Sequence, residues 1–298
     1  MFESLIFPGA YRKNTAGKAG FKPPQNELNL NGTTAFINQY GNKNRDLKDI
    51  PILVVFHGNN SQAEYNLEAH DKTINILRKT NQDFAVLAVE YNSYANPKIK
   101  PSEKGIKQDA DNVYNALIKQ GINPKNLTIC GESLGSVPAL HLATKHAEPK
   151  YLINSPLAST YDVAKQRLQQ SNILIQLIAF PLCLLLYPFV DKLNNREQIK
   201  NVSNPENVTI FVDQKDKTLP PELHARKLER LNPAVSYLEL SDTTSKSGMF
   251  HVGAPGRTML YEELFSPTVQ ENKESDRWRN QEAERARNRQ NSSLEASF

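Results

Sequence analysis

The chain has 298 residues, 39% of them hydrophobic, which is enough for one large α/β core. Its 36 basic and 32 acidic residues are well mixed and leave a formal charge of +4, so no long basic face is available for nucleic acid. Two cysteines, Cys130 and Cys183, both in apolar runs, argue against a disulfide framework and for a reducing compartment.

In chain order, Met1-Phe2-Glu3-Ser4-Leu5-Ile6-Phe7-Pro8 carries an acid where a signal peptide needs positive charge, and its apolar patch is short. It reads as a lead-in strand of a cytoplasmic protein. Residues 9–30, rich in Gly, Lys, Asn and Pro, read as a surface connection. Thr33 to Tyr40 predicts an edge strand, and Ile52 to Phe56 a fully buried strand of a parallel sheet that ends at His57-Gly58-Asn59-Asn60. Leu67, His70, Ile74 and Leu77 recur at helical spacing. A strand follows over 84–91, and Ser102 then caps a helix with the stripe Ile106, Ala110, Val113 and Leu117, ended by Gly121.

The chemistry is placed at Ile129-Cys130-Gly131-Glu132-Ser133-Leu134-Gly135-Ser136. An apolar strand there runs into a Gly-x-Ser-x-Gly turn and then into a helical stripe of Val137, Leu140 and Ala143. So sharp a turn holds the serine at its tip. Gly131 and Gly135 let strand and helix pass closely. Further strands are predicted over 151–154, 208–212 and 235–240, with a long helical insertion at about 157–204. Strands alternating with helices at this spacing give the α/β class, a mostly parallel sheet covered on both faces. The catalytic domain is expected over 1–265, and 266–298, polar and highly charged, as a tail.

A serine hydroxyl needs a neighbouring base to take its proton, and the base needs a third group to orient it. The acid is sought in the turn after the 208–212 strand, where Asp216 is the choice and Asp213 the competitor. His251, in Gly248-Met249-Phe250-His251-Val252-Gly253 after the last strand, is the base, and the order Ser, Asp, His is the one this kind of sheet requires. His57 is assigned to a loop turn, and His70, His141, His146 and His224 to helical stretches. The oxyanion is met by the backbone N–H of Leu134, at a helix start, and that of Asn59, with His57 and Gly58 shaping the loop.

His57-Gly58-Asn59, Pro101-Ser102-Glu103-Lys104-Gly105-Ile106 with Asp109, Gly121-Ile122-Asn123-Pro124-Lys125-Asn126, Gly131-Glu132-Ser133-Leu134-Gly135-Ser136-Val137-Pro138 and Asn154-Ser155-Pro156-Leu157 resemble successive blocks of the α/β-hydrolase superfamily. They are most similar to the serine hydrolases that include protein depalmitoylases and lysophospholipid or monoacylglycerol lipases. The resemblance covers roughly residues 30 to 260 and implies an eight-stranded sheet and a Ser133, Asp216, His251 triad, with no cofactor and no metal. Three departures stand out. Asp213 occupies a position often glycine in the family, residues 91–96 lack the usual Arg-Gly-Tyr-Gly run, and the N-terminus lacks the cysteine cluster that anchors the depalmitoylases.

The insertion contains an apolar run at 173–190, long enough to cross a membrane. A single crossing would separate Ser133 from Asp216 and His251, and Pro181 and Pro188 interrupt a continuous helix. The run is therefore read as a cap of two short helices, lining an acyl pocket or making peripheral contact with a membrane; an internal helix pair and a re-entrant hairpin are the alternatives. The expected function is hydrolysis of an ester or thioester of a small molecule or acyl-protein through an acyl-enzyme. A serine peptidase is one rival. The other is a hydrolase-fold binding or effector protein working through cap and tail, where Trp278 stands among charges and the partner is unknown.

Overall fold

Apolar runs too continuous for a half-exposed strand form the middle of one eight-stranded sheet. The computed structural model describes residues 7, 10, 26–76, 82–170, 192–240 and 261. Contacts divide the chain into two units, Met1–Met259 and Leu260–Phe298; of the second, Tyr261 alone is described.

The strands are β1 (Glu27–Leu30), β2 (Thr33–Tyr40), β3 (Ile52–Phe56), β4 (Phe84–Val89), β5 (Leu127–Glu132), β6 (Lys150–Asn154), β7 (Val208–Asp213) and β8 (Ser236–Leu240). They lie in the order β1-β2-β4-β3-β5-β6-β7-β8. β1 and β2 pair antiparallel, as do β2 and β4, and every other pairing is parallel. All residues of β3, β4 and β5 are buried. Since successive side chains of a strand point to opposite faces, both faces of the sheet must be covered there. The helices are α1 (Ala63–Ile76), α2 (Asn92–Ala95), α3 (Glu103–Lys119), α4 (Ser136–Ala143), α5 (Thr160–Gln169), α6 (Asn195–Lys200) and α7 (Ala225–Leu231). α3 starts as expected, with the Ser102 hydroxyl accepting from the Gly105 N–H at 3.0 Å, and Ile106, Ala110, Val113 and Leu117 are all buried.

The chain leaves β3 toward β4 on one side, and after β4 crosses to β5 on the other. The C-terminal ends of β3 and β5 therefore flank a switch point, the place in an open α/β sheet where loops part and leave a crevice.

Two expectations need correction at the β1 end. The segment 9–30 is not all connection, because Glu27–Leu30 is a strand, joined to β2 by an Asn31-Gly32 turn with both residues at positive φ, 53° and 89°. Thr33–Tyr40 is accordingly an inner strand paired on both sides, and β1 is the edge. The strand expected over 84–91 stops at Val89. Of the insertion at about 157–204, α5 and α6 are described; the apolar run 173–190, Leu77, the tail 266–298 and all but Phe7 of residues 1–8 lie outside the described residues. Among the described residues no helix is long and apolar enough to cross a membrane.

Candidate active site

β5 carries Ser133 to the switch point. The strand ends at Glu132, a tight 3-10 turn spans Ser133–Gly135, and α4 begins at Ser136. Ser133 has φ 53°, the left-handed region that non-glycine residues rarely occupy, and it is half-buried while both neighbours are buried. The turn is held from below, the Ser136 hydroxyl donating to the Ser133 carbonyl at 2.5 Å. Its tightness explains the glycines. A Cβ on Gly135 would stand 1.9 Å from the Phe56 carbonyl oxygen, and one on Gly131 would stand 2.5 Å from the Gly135 carbonyl oxygen.

The loop after β3 lies against the serine. A Cβ on Gly58 would stand 3.3 Å from Ser133 Cβ, tighter than side chains ordinarily pack, and 4.0 Å from its Oγ, so the glycine's bare side faces the nucleophile. Leu134, next along from Ser133, is buried, and Asn59 is half-buried. The structure thus brings Ser133 and the His57-Gly58-Asn59 loop together.

Asp216 lies in the turn after β7, two strands along from β5 and at the same end of the sheet as Ser133. Its Oδ1 accepts from the Thr218 N–H at 2.8 Å and the Leu219 N–H at 3.0 Å, which fixes the plane of the carboxylate. Asp213, the last residue of β7, accepts from the Lys215 N–H at 2.7 Å and so shapes the turn that presents Asp216. Both carboxylates are buried. His251 lies outside the described residues.

Buried polar groups beneath the crevice escape a reading by motif. Glu90, just past β4, sets Oε1 3.2 Å from His57 Nε2, while its Oε2 accepts from the Ala63 N–H at 2.9 Å. Glu132 accepts from Asn66 Nδ2 at 2.6 Å and stands 3.6 Å from His70 Nε2, both partners lying on α1. Asp109 accepts from the Asn92 N–H, the Asn92 amide and the Thr33 hydroxyl; burial nevertheless raises its carboxyl from 3.8 to about 6. His57 and His70 are therefore not simply a loop and a helix histidine, since each faces a buried carboxylate. The signal in the sequence is an acid ending or following an otherwise apolar strand, at Glu132 and Glu90. Among the described residues no group of three or more His, Cys, Asp or Glu is placed to hold a metal.

No family model matches the chain. Over 80 residues it is 35% identical to an alpha/beta hydrolase domain-containing protein 17B of Xenopus laevis, a match covering 26% of this chain and 28% of that relative. Among solved structures it is similar to a Mycobacterium tuberculosis puromycin-hydrolyzing peptidase, with TM-score 0.56 and 17% identity over 80% of this chain and 38% of the other. It is also similar to VinJ, with TM-score 0.53 and 14% identity over 81% of this chain and 99% of the other. At these identities the structural likeness is one of fold, and the fold is that of the α/β hydrolases.

Proposed function

We propose that this chain, an α/β hydrolase in fold, is a serine hydrolase that cleaves an ester or thioester bond of an acyl substrate. The observation that carries the reading is Ser133, held at φ 53° on a turn at the sheet's switch point and facing the Gly58 loop. In the proposed reaction His251 takes the proton of Ser133 as its oxygen attacks the substrate carbonyl, and the N–H groups of Leu134 and Asn59 meet the negative charge formed. Asp216 orients His251; the double hold on its Oδ1 supports that choice over Asp213. Collapse of the tetrahedral intermediate expels the alcohol or thiol, which takes the proton from His251. Water then attacks the acyl-serine by the same route and releases the acid.

The apolar run at 173–190 supports an acyl chain as the group recognised and peripheral contact with a membrane surface as the place where it is met. A fluorophosphonate probe tests the reading. The parent chain is labelled and Ser133→Ala abolishes labelling; labelling that survives the substitution overturns it.

A further inference from the structure

We infer that Glu90, Tyr91 and Tyr94 are positioning residues that set the orientation of the Gly58–Asn59 peptide, Glu90 and Tyr91 through His57 and Tyr94 through the Asn59 side chain. The inference rests on the proposal that the Asn59 N–H binds the oxyanion.

The geometry runs as a chain of contacts from β4 to the loop. The His57 ring is fully buried, with Nδ1 2.8 Å from the Gly58 carbonyl oxygen. That oxygen offers only lone pairs, so Nδ1 carries the hydrogen and donates it. The Ser61 N–H donates to the same oxygen at 3.1 Å. In a planar trans peptide the N–H lies on the opposite edge from the C=O. Holding the Gly58 carbonyl against the ring therefore turns the Asn59 N–H to the side away from His57, and a flipped peptide would lose two hydrogen bonds at once.

The ring itself is held by the segment after β4. Glu90 Oε1 lies 3.2 Å from Nε2, on the far side from Gly58, so a buried carboxylate faces the second ring nitrogen. Tyr91 Oη donates to the His57 carbonyl at 2.9 Å, and Tyr94 Oη donates to Asn59 Oδ1 at 2.6 Å. The two phenols thus hold the residues either side of Gly58. The rings of His57, Tyr91 and Tyr94 pack in a triangle with centroids 4.5, 5.4 and 5.3 Å apart, leaving little freedom to any one of them. Burial drives both phenol pKa values upward, so the hydroxyls stay protonated donors throughout the range in which an ester hydrolase works. This cluster occupies the place where the chain departs from an Arg-Gly-Tyr-Gly run, and it supplies a reason for Tyr91 and Tyr94 there.

The test uses the full chain and two readouts, amide hydrogen exchange of residues 57–61 and steady-state hydrolysis of p-nitrophenyl butyrate. Tyr94→Phe keeps the ring and removes one hydroxyl. Exchange across 57–61 rises about tenfold or more with the rest of the sheet unchanged, and kcat falls about tenfold or more while KM moves less than about threefold, since the lost contact serves the transition state. His57→Asn, whose Nδ2 donates from near the place of Nδ1, recovers part of the kcat lost in His57→Ala. Unchanged exchange in Tyr94→Phe overturns the inference, as does faster exchange with kcat intact. A parent chain without turnover whose loop still loosens in Tyr94→Phe leaves the clamp standing and sinks the hydrolase reading instead.

Discussion

The backbone of Ser133 is the point where local energy is given up for geometry. A non-glycine residue at φ 53° carries strain of order 1–3 kcal/mol, which persists only because the turn is over-determined by its packing. Ser133→Ala keeps that strain and Ser133→Gly removes it, less the extra freedom glycine has when unfolded. Ser133→Gly is expected to be the more stable of the two by about 1 kcal/mol, read from urea midpoints; equal midpoints would mean the turn is unstrained. Gly135 gives the opposite case. A Cβ 1.9 Å from the Phe56 carbonyl meets backbone of a central strand that cannot yield, so Gly135→Ala should lose more than about 4 kcal/mol and fail to accumulate as folded protein. At this scale the sequence was most legible, because Gly-x-Ser-x-Gly after an apolar run has one compact solution. The buried pairs of His57 with Glu90 and His70 with Glu132 were not, because each joins residues far apart in the chain.

Among the elements, strands and helices that are continuous in sequence were legible, and pairings were not. α3 shows why the first holds: its cap and its buried stripe are both local patterns. Replacing Ser102 by alanine leaves the Gly105 N–H without its hydroxyl partner and should cost about 1 kcal/mol in thermal or urea unfolding, with no change in where the helix runs. β1 shows why the second fails. Glu27-Leu28-Asn29-Leu30 is short, largely exposed and follows a polar stretch, so nothing in its apolar content announces a strand. The available cue was the turn Asn31-Gly32, whose φ values of 53° and 89° are those a two-residue hairpin demands. Reading that dipeptide as a hairpin turn would have supplied β1 and moved β2 inward from the edge.

At the scale of the whole molecule, one buried carboxylate ties α3 to the start of β2 and to the start of α2. Asp109 on α3 takes hydrogen bonds from Thr33 at the start of β2 and from Asn92 at the start of α2, beside the segment that holds the Gly58 loop. Those donors favour the carboxylate, yet burial outweighs them and raises its pKa from 3.8 to about 6. Between those values the folded state binds more protons than the unfolded chain, so the contribution of this group is fully present below about pH 4 and is lost as pH rises through about 6. The displacement corresponds to about 3 kcal/mol of stability forgone at pH 7. Asp109→Asn removes the ionisation, and the Asn92 amide can turn to offer its oxygen to the new Nδ2. Other groups titrate in both directions over this range, but they are common to parent and variant, so the difference between the two isolates Asp109. Urea unfolding at several pH values from 4 to 7 should show Asp109→Asn gaining on the parent as pH rises, with most of the gain complete by about pH 7. Parallel curves across that range would mean the carboxyl titrates in the fold as it does in the unfolded chain, its three donors offsetting its burial.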